Sequence, residues 1–199
     1  MTRRTLPHSV LLAVLLFLGC QAVGHAADLS QAVILVAKPE LHDELYGSTI
    51  LVVTPVGEDR HVGFIVNRPT PVTLGKAFPE DGPSQNVVDP IYLGGPYEPQ
   101  AIFALVQRPD TPGGVSLELM PGLFAAFDVD TVDRIIRSEP EHARFVAGLV
   151  AWSEGELRDE VERGAWYVLE PDPEVALRKP TEGLWEELLR RSQTAANAI

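Results

Sequence analysis

Two short segments hold the residues best suited to chemistry, Asn67-Arg68-Pro69-Thr70 and Gly94-Gly95-Pro96. Arg68 offers a planar fork of donors that fits a carboxylate or a phosphate. Pro69 holds Arg68 extended as the chain leaves a strand, and Asn67 can cap a turn or contact a ligand. Paired glycines after an apolar run can present backbone amides as an anion-binding nest. Each feature also has an architectural reading. Arg68 has 28 acidic residues to pair with, Asn67 can satisfy local backbone, and Gly94 and Gly95 can mark close backbone packing. The architectural reading is the more economical one. A ligand site formed by Asn67, Arg68, Gly94 and Gly95 requires that the two turns meet in space.

Other chemistries find less support. Gly94-Gly95 lacks the Gly-Lys-Ser/Thr and following helix of a P-loop. Asp128, Asp130 and Asp133 lack the Gly and distant Glu of an EF-hand loop, and Asp130 is expected to cap a helix. His42, His61 and His142 include no pair at the spacing of a zinc-binding helix. His61, beside Arg60 at a strand start, is expected to be exposed. No Gly-x-Ser-x-Gly elbow occurs, and carboxylates are too numerous to single out an acid–base pair. Trp152 and Trp166 flank one helix and read first as core anchors; Trp152 and Glu156 are further candidate ligand-binding positions. No catalytic residue, metal site or cofactor emerges, so the reading leans away from an enzyme.

The first 26 residues follow the order of a secretory signal peptide. Arg3 and Arg4 precede the apolar run Val10 to Leu18, and Gly24-His25-Ala26 offers small residues before cleavage at Ala27. The run is too short to span a bilayer as a helix. Phe17-Leu18-Gly19-Cys20 resembles a lipobox, so Cys20 is a candidate lipidation site that would tie the protein to a membrane surface. The Arg pair is also a partial twin-arginine pattern. Export to the periplasm is the expectation and a lipid anchor the alternative; a cytoplasmic location follows if the signal is not processed. Cys20 is the only cysteine, so cleavage before Ala27 would leave no disulfide and no thiolate chemistry.

The chain has 16 basic and 28 acidic residues, a formal charge of −12. Removing Arg3 and Arg4 leaves 14 basic against 28 acidic residues, near −14. Such a surface repels phosphate backbones, so nucleic acid is not an expected partner. The expected partner is a protein of the envelope.

One domain, residues 27–199 with a core of about 30–191, must position these residues. Strands are expected at 32–37, 49–54, 62–66, 91–94, 101–107, 115–119, 123–127, 145–151 and 166–169. Several are near-continuous apolar runs, which suggests strands covered on both faces. Residues 108–114 read as a hairpin tip between 101–107 and 115–120, and 79–86 as the longest surface loop. Helices are expected at 131–137, at 153–163 behind a Ser153/Glu156 capping box and closed by Gly164, from Pro173, and after Thr181. The last buries Leu184, Trp185, Leu188 and Leu189 on one stripe. Strand 145–151, its helix and strand 166–169 read as a βαβ-like unit. Early strands and late helices make the fold class α+β.

Four motifs in order resemble the AlgH/YqgE family of bacterial proteins. They are Gly47-Ser48-Thr49-Ile50, Gly63-Phe64-Ile65-Val66-Asn67-Arg68-Pro69, Tyr92-Leu93-Gly94-Gly95-Pro96, and Ala151-Trp152-Ser153-Glu154-Gly155-Glu156-Leu157 followed by Ala165-Trp166. The resemblance implies a compact mixed sheet, or small β-barrel, flanked by helices. This chain departs from it in three ways. An export signal precedes a fold that is usually cytoplasmic. Glu156 replaces a glutamine within a Gly-Trp-Gly…Gly-Gln-Leu pattern. Tyr97 follows Gly-Gly-Pro where a small apolar residue is usual. The family's label of transcriptional regulation fits poorly with an exported, acidic chain. A non-enzymatic interaction or regulatory domain of the cell envelope is the expected function; a small-molecule-binding protein or enzyme with a site near Asn67-Arg68 and Gly94-Gly95 is the alternative.

Overall fold

Val33, Ile34, Leu35, Val36 and Ala37 are all buried, so both faces of their strand are covered. This explains why the segment reads as an unbroken apolar run. The computed structural model describes residues 28–197; the signal segment 1–26 and Cys20 lie outside them. The strands are β1 (Val33–Ala37), β2 (Ile50–Gly57), β3 (Arg60–Ile65), β4 (Pro69–Thr73), β5 (Pro90–Leu93), β6 (Tyr97–Gln107), β7 (Ser116–Met120), β8 (Leu123–Ala126), β9 (Ala143–Trp152) and β10 (Trp166–Leu169). The helices are α1 (Leu74–Ala77), α2 (Val129–Ser138), α3 (Glu156–Glu162), α4 (Pro173–Leu177) and α5 (Leu184–Asn197). Among the described residues no helix is long and apolar enough to cross a membrane.

The sheet runs in the order β10-β1-β2-β3-β9-β6-β8-β7, with β5 also paired to β9 and β4 to β5. Every pairing is antiparallel except β5 with β9. The sheet curls into a half-barrel that brings β7 against β2. Alternation along the strands sends Ile34, Val36, Ile50, Val52, Phe64 and Leu105 to one cluster, which α4 and α5 cover with Val175, Leu184 and Leu188. The opposite faces divide. Leu35, Leu51, Val53, Trp152 and Trp166 pack with Leu157 of α3; Ala104, Val106 and Phe145 pack with Val132, Ile135 and Ile136 of α2.

Several local expectations change. Residues 108–114 do not form a hairpin, because β6 pairs with β8 and the tight hairpin is β7–β8, turned at Gly122 with φ +76°. The loop instead carries the chain past β8. β9 and β10 run parallel but lie three strands apart, so α3 crosses β3, β2 and β1 rather than joining neighbours. Asp128, not Asp130, caps α2: its Oδ1 accepts from the Thr131 amide at 3.0 Å. Asp130 falls in the first turn, where a carboxylate suits the helix dipole. α3 starts at Glu156 behind Gly155 at φ +78°. Only half of the capping box forms, with Glu156 Oε2 accepting from the Ser153 amide at 2.9 Å. Leu184 N–H donates to the carbonyl of Thr181 and not to its hydroxyl. The stretch between β1 and β2, residues 38–49, is longer than the 79–86 loop and is pinned as described next.

Candidate functional site

Asn67 and Arg68 follow β3, where the chain turns away from β2. Asn67 Oδ1 accepts from the Ile50 amide at 2.8 Å, and Nδ2 donates to the Ser48 carbonyl at 2.9 Å. The side-chain amide thus imitates a peptide unit and extends the β2–β3 ladder by one rung. The Arg68 guanidinium donates to the carbonyls of Gly47 at 2.6 Å and Glu44 at 3.3 Å. Both residues hold the 38–49 stretch, whose turn is started by Asp43 Oδ1 accepting from the amides of Leu45 and Tyr46 at 2.8 Å each. Arg68 pairs with carbonyl oxygens, not with an acid.

The two turns do meet, through main chain. Leu93 N–H donates to the Arg68 carbonyl and Ile65 N–H to the Gly94 carbonyl, each at 2.8 Å, while Gly94 N–H donates to Ala147 O at 2.7 Å. Here one edge of β9 passes from β5 to β3, and Gly94 fills the fork. A Cβ on Gly94 would lie 2.2 Å from Gly148 O, and one on Gly95 2.2 Å from Leu149 O. Gly148 answers from β9 with φ +75°, a conformation that favours glycine. The Gly94 amide is therefore spent inside the sheet and does not contribute to an anion nest.

Trp152 and Trp166 converge on a residue that the spacing had not singled out. Both indoles donate to Glu160 Oε2, at 3.1 and 2.8 Å, and Tyr46 meets Trp166 edge-on at 6.2 Å. Burial, followed by the charges of Glu160 and Asp43, pushes the Tyr46 phenol up to about 12. The Glu156 carboxylate is occupied at the start of α3.

Two of the buried polar side chains depart from the sequence-based expectation: Arg144 is not singled out by it, and His61 is expected at the surface. Arg144, on β9, is 1% exposed. Its guanidinium donates to the carbonyls of Val66 and, at 2.5 Å, Arg178, and stacks over Tyr92 at 4.2 Å; Nε has no partner. Burial lowers it to about 10. His61 is 2% exposed, not exposed as expected. Its Nε2 lies 2.8 Å from Leu29 O and its Nδ1 is unpartnered. Pairing β3 with the end of β9 sets His61 opposite the buried Trp152. Among the described residues, no three His, Cys, Asp or Glu side chains are placed to hold a metal.

What the surface offers instead is a cleft of about 400 Å³ over the α2 cluster. One wall is Leu74 of α1 with Phe78 and Ser84 beyond it; the floor is Gln100, Ala101 and Ile102 of β6. Phe127 and Val129, Val132, Asp133 and Ile136 form the other wall. Leu74, Val132 and Ile136 belong to the underlying core, so the cleft opens into it. At the rim Phe78 remains 44% exposed and Val129 75% exposed. Asp81, fixed by the Ser84 amide at 3.1 Å, and Asp133 flank the mouth, and Arg137 lies 3.8 and 3.6 Å from them. A second depression, over residues 38–48 and Trp185, has about 460 Å³ of space and a mainly polar lining.

Residues 34–197 match the model of a family described as AlgH-like. A UPF0301 protein of Thermobifida fusca is 32% identical over 169 residues, covering 79% of this chain and 84% of its own. One from Chlorobium phaeobacteroides is 29% identical, covering 88% and 96%. The solution structure of the AlgH protein from Pseudomonas aeruginosa superposes with a TM-score of 0.67 at 23% identity, covering 82% of this chain and 88% of that one. The crystal structure of protein DIP2367 from Corynebacterium diphtheriae gives 0.66 at 22% identity, with 81% and 86% covered.

Proposed function

The chain belongs to the AlgH-like family, and we propose that it is a non-enzymatic interaction domain of the cell envelope that holds a protein partner in the cleft between α1 and α2. The observation that carries this reading is the open apolar rim. Val129 and Phe78 leave large apolar area in water beside a recess that reaches the core, and contiguous apolar surface of this kind marks interaction sites. The polar groups of the other candidate positions support it indirectly. Asn67, Arg68, Gly94 and Glu156 each make hydrogen bonds within the fold. Export rests on the order of basic, apolar and small residues in 1–26. The mass of the mature chain from its host tests that part, distinguishing cleavage before Ala27, a lipidated Cys20 and an intact N-terminus.

The interaction itself is tested by affinity capture from envelope fractions with the wild-type chain and with Phe78→Asp and Val129→Asp. A partner retained by the wild type and lost by both variants, at unchanged melting temperature, is the expected result. Equal recovery by all three, or none by any, contradicts the reading.

A further inference from the structure

Building on the reading of this cleft as a partner site, we propose that its occupant is a protein segment that presents apolar side chains flanked by Lys or Arg. The charged residues lining the cleft are Asp81 and Asp133, both carboxylates, and no basic side chain lines it. Arg137 stands beside both lining carboxylates, but at 3.8 and 3.6 Å and largely exposed. Such loose surface pairs are weak, so an incoming cation can replace Arg137 at little cost.

Two alternatives fit less well. A second copy of this chain would bring another net charge of −12 against an acidic rim. A small molecule seated in the recess would leave much of Val129 and the outer side of Phe78 in water, whereas a protein segment laid across the mouth covers them. The geometry therefore asks for apolar anchors that enter between Leu74 and Val132 and cations that reach Asp81 and Asp133.

The test uses the chain lacking residues 1–26 and three synthetic peptides with the same Leu and Phe anchors and with Lys, Gln or Glu flanks, titrated by fluorescence anisotropy. The Lys peptide should bind about ten-fold more tightly than the Gln peptide at low salt, with the Glu peptide weakest. The gap should narrow as salt is raised. Asp133→Asn should weaken the Lys peptide about three-fold and leave the Gln peptide unchanged, whereas Arg137→Gln should tighten the Lys peptide about three-fold. Val129→Asp should remove binding of the Gln peptide. If the Gln and Lys peptides bind equally and both respond to Val129→Asp, the charge preference is overturned and the cleft reading stands. If no peptide binds, or Val129→Asp changes nothing, both fail.

Discussion

Replacing Gly94 with alanine puts the two meanings of Gly94-Gly95-Pro96 in opposition. A Cβ on Gly94 would lie 2.2 Å from Gly148 O and 3.1 Å from the Val146 Cβ. Neither neighbour can swing away, because one is main chain and the other is the root of a buried side chain. The backbone must move by close to an ångström, which disturbs the bonds from Gly94 N–H to Ala147 O and from Ile65 N–H to Gly94 O. Overpacking costs about 1–3 kcal/mol and two weakened backbone bonds about 1 kcal/mol each, so Gly94→Ala should lose roughly 3–5 kcal/mol. Gly82 is the internal control, since a Cβ there meets nothing within 4 Å and its φ is −55°. Gly82→Ala should cost no more than about 1 kcal/mol, the strain of a helical backbone directly ahead of Pro83. Urea unfolding of both variants reads the difference directly. A Gly94→Ala protein within about 1 kcal/mol of wild type would refute the packing argument and return the glycines to the list of binding groups.

Three further outcomes follow from the same geometry. Arg68→Ala should lower stability by about 1–2 kcal/mol, because the carbonyls of Gly47 and Glu44 lose their donors but can partly rehydrate; a stable variant that has lost ligand-induced stabilisation would point to binding. Arg144→Met should cost about 2–4 kcal/mol by urea unfolding, because the buried Val66 carbonyl and the partly buried Arg178 carbonyl lose a shared donor while the cost of burying a charge is relieved; unchanged stability would refute the clamp. The Tyr46 phenol, raised to about 12 by burial and then by neighbouring carboxylates, favours the neutral form in the folded chain. Its contribution is complete below pH 10 and is lost as pH rises through 12. Absorbance titration should show one late tyrosine that is missing from Tyr46→Phe.

The sequence exposed what depends on neighbours along the chain. The run Val33–Ala37 announces a strand buried on both faces, and Asp172-Pro173 announces α4, where Asp172 Oδ1 accepts from the Glu174 amide at 3.0 Å. Partners distant in sequence were not legible. Pro and Gly at 108–114 mark a change of direction, but the next strand in space is β8, brought there by its own hairpin with β7. Arg144 reads as one charge within an apolar strand, and its acceptors, Val66 and Arg178, lie 78 and 34 residues away. Glu160 resembles any exposed helical acid until the two indoles arrive. The cleft draws on three separated segments, and each lining residue taken alone passes for core or surface.

The central claim, that this chain works by holding a protein at the α1–α2 cleft, is tested most directly by site-specific photo-crosslinking in the native host. A photoreactive side chain at Val129, at the rim, is compared with one at Val115 and one at Val56, both exposed and neither lining the cleft. The account predicts one discrete adduct in the envelope fraction from position 129, suppressed by Phe78→Asp and absent from positions 115 and 56. No adduct from position 129, or the same adducts from all three positions, would contradict it.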